Sequence, residues 1–103
     1  MMENKVALTF SDNIVCLAGF EYGKEEFLKQ AKDKLNPDKE FYVEFPPQIV
    51  SVASSFVNGF FEEFVEKVGL SAVEKRIHIL GSEEGMEKDI RDKLIFGYSE
   101  GPY

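Results

Sequence analysis

Two apolar periods alternate along the chain. Val6, Leu8 and Phe10 recur at every second position, the spacing of a strand with one buried face. The polar cluster Ser11-Asp12-Asn13 breaks that run, and Ile14 to Ala18 reads as a second strand. The chain is therefore expected to open with a β-hairpin. Gly19 to Gly23 reads as a connection. Between Lys24 and Leu35 the period lengthens, and Phe27, Leu28, Ala31 and Leu35 fall on one helical face. Asn36-Pro37-Asp38 ends that helix, because proline disfavours helical geometry before it and has no N–H to donate. Phe41-Tyr42-Val43-Glu44-Phe45 is rich in β-forming residues and predicts a third strand, stopped by Pro46-Pro47.

Gln48 to Ala53 reads as a short link into the strongest helical pattern of the chain. From Ser54 to Val68, the residues Phe56, Val57, Phe60, Phe61, Phe64, Val65 and Val68 form a wide apolar stripe, so this helix should be the most buried one. Ser54 or Ser55 is expected to cap its start and Gly69 to close its end. Arg76 to Leu80 reads as a fourth strand. Ser82 is expected to cap a last helix carrying Met86, Ile90 and Leu94 at intervals of four, with Gly97 as its terminator. Residues 95–103 are expected to form a partly disordered tail, and whether Ile95 to Tyr98 adds a fifth strand is left open by the pattern. The order ββαβαβα predicts a single α/β domain over residues 1–103. It would have a small mixed sheet of four or five strands with about three helices packed on it.

Charge and rare residues narrow the chemistry. Twelve basic and nineteen acidic residues leave a formal net charge of −7, which repels phosphate backbones and anionic lipid. Nucleic acid and membranes are therefore not expected as partners. No stretch approaches the roughly 20 apolar residues of a membrane span, and the first residues lack a signal peptide's basic and apolar regions, so a cytoplasmic location is expected. One cysteine and one histidine rule out an intrachain disulfide and a zinc site of Cys and His ligands within one chain. Cys16 and His78 both sit in alternating apolar runs. Cys16 is expected to pack as a small hydrophobe, and His78 to lie on the outer face of its strand. No catalytic constellation, cofactor motif or metal set is read here. Gly81-Ser82-Glu83-Glu84-Gly85 places acids where a phosphate would sit, and no lysine follows at the P-loop spacing.

The run Phe41-Tyr42-Val43-Glu44-Phe45, a short link, and Ser54-Ser55-Phe56-Val57-Asn58-Gly59-Phe60 together resemble the centre of STAS domains. They are most similar to the STAS-like branch of uncharacterised bacterial proteins, which carries a strand ending in an acid and Phe and a Ser-Ser-Phe at the next helix start. The resemblance runs from about Val6 to Leu94. It implies a STAS-like fold and a non-catalytic regulatory module that binds another protein. In the anti-sigma-factor antagonists of that family, a GHKL-type ATPase acting as a kinase phosphorylates the first serine of this motif and so releases the antagonist from its partner. Carried onto this chain, that serine is Ser54 and its neighbour is Ser55. Ala53 stands where the antagonists have Asp, and Phe56 where they have Gly.

The physics of the motif points the same way. A hydroxyl at a helix start lies beside free N–H groups and the positive dipole end, where a phosphate's charge of about −1.5 to −2 would be stabilised. The plainer alternative is a cap worth about 1 kcal/mol. Glu62, Glu63 and Glu66, and the later cluster Glu83, Glu84, Glu87 and Asp89, read as solvated helix faces. Tyr22, Tyr98 and Tyr103 are candidate surface anchors. A second class of function is a small ligand-binding domain or enzyme with a pocket near Ser54, Ser55 and Ser82. A third is a homo-oligomer joined through a Phe-rich surface.

Overall fold

Alternating residues of three short strands put Val6, Phe41, Val43, Ile77 and Ile79 on one buried sheet face. The structure, a computed structural model, describes residues 4–81 and 84–99. The strands are β1 (Lys5–Ala7), β3 (Phe41–Glu44) and β5 (Ile77–Leu80), paired in parallel in the order β1-β3-β5. In register, Val6 faces Val43 and Val43 faces Ile79. A second, two-stranded parallel ribbon joins β2 (Cys16–Leu17) to β4 (Ser51–Val52). Among the described residues four α-helices complete the α/β fold: α1 (Phe20–Glu26), α2 (Ser54–Val68), α3 (Leu70–Arg76) and α4 (Met86–Ser99).

The expected hairpin does not form. β3 carries the densest β-forming run and, as the middle strand, takes a neighbour on each edge, so β1 pairs with β3 and not with β2. β2 finds its partner in β4, part of the stretch expected to be a link. The first helix begins four residues earlier than Lys24, at Phe20, and its last turn, Phe27–Ala31, is π-helical, with the Lys32 N–H donating to the Phe27 carbonyl at 2.9 Å. The wider turn leaves Leu28 exposed although Phe27 and Ala31 are buried. Helix α3 was not expected: its seven residues are too few for a clear period. Residues 95–99, expected in the tail, continue α4, and no fifth strand arises there.

Helix α2 is the spine of the core. Phe56, Val57, Phe60, Phe61 and Phe64 are all buried. Phe64 packs edge-on against Phe27 at 4.9 Å and Phe41 at 5.2 Å, so one side chain joins α1's π turn to the sheet. Glycine sets two helix approaches. A Cβ on Gly59 would strike the Phe20 carbonyl, and one on Gly23 would strike the Phe56 carbonyl, so α1 and α2 cross backbone to backbone. Gly97, expected to end the last helix, lies inside α4, where a Cβ would overlap the side chain of Asn58. Gly69 does close α2, at φ 94°.

The outer edge of β5 is capped by side chains. Glu87 accepts the Ile79 N–H at 2.9 Å, and Arg91 donates to the Ile77 carbonyl at 2.8 Å and to the Glu74 carbonyl. The two capping side chains pair with each other at 3.1 Å. This closes an edge that would otherwise invite another strand.

Candidate functional site

Helix α2 starts at Ser54, and the residue preceding it, Ala53, occupies the capping position in an extended conformation (φ −73°, ψ 154°) with no side-chain cap. Neither serine therefore caps α2 as expected. The backbone leading into it is held by the β2–β4 ribbon: the Ala53 N–H donates to the Leu17 carbonyl at 2.7 Å, and Lys93 of α4 donates to the Val52 carbonyl at 2.7 Å.

The two serines differ in what they touch. Ser55 Oγ accepts the backbone N–H of Gly19 at 2.9 Å, tying α2 to the residue that precedes α1. Gly19 has φ 109°, a conformation side chains rarely adopt. Ser54 is exposed, and its hydroxyl makes no hydrogen bond among the described residues. It stands in the first turn, where backbone N–H groups have no helical acceptor and the dipole is positive. Phe56, at the position where the resembled antagonists have Gly, is buried against Tyr22 at 5.5 Å and Phe60 at 5.8 Å.

Neither serine lines the groove between α1 and α2 or the cavity beside Phe10 and Tyr22, and Ser82 lies outside the described residues. One groove of about 310 Å³ runs between α1 and α2, past Lys24, Leu28, Glu62, Glu63 and Glu66. Its acids are largely ion-paired, Glu62 with Lys24 and Glu63 with Lys32, both at 3.3 Å. The hydrogen bond and charge of Glu62 hold the Lys24 ammonium above its usual pKa. Of the later acidic cluster, Glu87 and Asp89 are ion-paired within α4, while Glu83 lies outside the described residues.

A second cavity, of about 370 Å³, opens where the chain leaves β1, between Phe10 and Tyr22. Glu26 forms part of its wall and is 6% exposed. Sequence reading missed it, although Tyr22, Glu26 and Gln30 recur every four residues, a polar stripe on the very helix whose apolar face was read. Burial, followed by the charge of Glu26, raises the Tyr22 pKa above the ordinary tyrosine value.

His78 does lie on the outer sheet face, stacked on Tyr42 at 4.6 Å with Nε2 2.6 Å from Glu40. Cys16 is exposed instead of packed inside, because its strand turns Leu17 to the core and Cys16 away. The two sit in different sheets. Among the described residues no group of three or more His, Cys, Asp or Glu side chains could hold a metal ion, and no helix is long and apolar enough to cross a membrane. Tyr103 lies outside the described residues. In comparisons with protein families, curated proteins and solved structures, nothing matches the chain.

Proposed function

We propose that this chain is a non-catalytic, cytoplasmic regulatory module of STAS-like kind that binds another protein through the start of α2, and that its partner is a GHKL-type ATPase or kinase acting on Ser54. The observation that carries the reading is the contrast between the two serines: Ser54 is exposed and unengaged in the first turn, while Ser55 is tied to Gly19. A phosphate on Ser54 would meet free backbone N–H groups and change the charge of the contact surface without disturbing an internal hydrogen bond. A phosphate on Ser55 would have to break the bond to Gly19 first. The support beneath Ser54 is firm, since the ribbon and Lys93 hold the two residues before it.

Phosphosite mapping by mass spectrometry on the protein purified from its native host tests the assignment. Phosphate on Ser54 with Ser55 unmodified is the expected result. Phosphate on Ser55 alone overturns it.

A further inference from the structure

We propose that the cavity beyond β1 is a binding site for a small organic cation, an ammonium or guanidinium compound, with Glu26 as its counter-ion.

Glu26 is a carboxylate 6% exposed, and a charge so deep requires compensation. What it has is partial. Oε1 accepts Gln30 Nε2 at 2.6 Å, a neutral donor. Among the described residues Oε2 has only Lys29 Nζ at 3.4 Å, and that side chain is 71% exposed. A loose pair with a solvated lysine three residues away contributes little. A cation entering the cavity would meet an oxygen whose present partner is weakly held and free to swing into water.

The neighbours of Glu26 are built for such a guest. Gln30 cannot turn away, because its Oε1 accepts the Thr9 N–H at 2.7 Å and its Nε2 donates to the Thr9 carbonyl at 2.9 Å. The carboxylate is thus fixed in place before any ligand arrives. Phe10 and Tyr22 stand on the cavity wall with ring centroids 6.4 Å apart and planes at 57°, and aromatic faces attract cations. Burial, and after it the charge of Glu26, raises the pKa of Tyr22 at that wall. A volume of about 370 Å³ suits a compound of a few heavy atoms up to amino-acid size. The cavity lies just past the carboxyl end of β1, where the chain leaves the sheet. The net charge of −7 draws cations towards the chain.

Titration of the isotope-labelled protein with n-butylamine and with butylguanidine, followed by NMR and with n-butanol as the neutral control, tests this. Saturable shifts at Thr9, Tyr22 and Gln30 are expected with both cations, and binding of n-butanol at least about tenfold weaker, since a charge-assisted contact is at stake. Glu26→Gln should weaken the cations by about tenfold or more. Lys29→Ala, at an exposed position that leaves the fold intact, should strengthen them by removing the internal competitor. That opposite sign keeps the test decisive even if Glu26→Gln fails to fold. No saturable shift up to about 10 mM of either cation overturns the proposal, as does equal binding of n-butanol, or unchanged or weaker binding in Lys29→Ala.

Discussion

The Gly19 N–H donates to Ser55 Oγ at 2.9 Å, so the first turn of α2 fixes the residue that launches α1. Ser55→Ala leaves that N–H without its protein partner and should cost about 1 kcal/mol, a fall of about 5 °C in melting temperature for a domain of this size. Ser54→Ala breaks no bond and should melt within about 1 °C of the parent. Thermal unfolding followed by circular dichroism checks both.

The crossing of α1 and α2 depends on Gly59. On helix propensity alone Gly59→Ala would stabilise by about 1 kcal/mol. The added Cβ would meet the Phe20 carbonyl, a backbone atom that cannot swing aside, and overpacking of this kind costs about 1–3 kcal/mol or more. The net effect should be destabilising by about 2 kcal/mol, read from urea unfolding midpoints at unchanged slope.

Arg91 holds an edge as well as a charge. Arg91→Ala removes donors from the Ile77 and Glu74 carbonyls and should lower stability by about 2 kcal/mol. It also uncovers the outer edge of β5. Sedimentation velocity should then show concentration-dependent self-association beyond that of the parent.

The Tyr22 phenol ionises above the ordinary tyrosine value, because burial and the charge of Glu26 both favour the neutral form. Its folded-state pKa exceeds the unfolded one. The stability it contributes is therefore present below about pH 10 and is lost as pH rises through the folded value. A phenolate absorbance titration of the parent minus Tyr22→Phe should show one group titrating late. The alkaline loss of stability should be shallower in Tyr22→Phe.

Much of the core was legible in the sequence. Phe56, Phe60, Phe61 and Phe64 lie on one helical face whatever else the chain does, and their burial follows from spacing alone. The strand Phe41 to Glu44 and the face of α4 carrying Met86, Ile90 and Leu94 are legible for the same reason. Pairing was not. Whether Val6 lies beside β2 or β3 depends on which long-range partner buries it best, and an alternating pattern fits both. Gly97 shows a similar limit: a glycine near a helix end reads as a terminator, while its position against Asn58 exists only once α2 and α4 are packed. At the candidate site, the motif located both serines but could not tell them apart, since the hydrogen bond that separates them spans from Gly19 to Ser55. Glu26 was hidden because an acid on a helix is ordinarily solvated, and the Gln30 that holds it is itself held by Thr9, 21 residues away in the chain.

The most direct measurement of the central claim is affinity between the purified partner and three forms of this chain: the parent, Ser54→Ala and Ser54→Asp. A regulatory surface at the start of α2 predicts that Ser54→Ala binds like the parent and that Ser54→Asp, which mimics the phosphate's charge, binds at least about tenfold more weakly. Equal affinity across all three forms would contradict it.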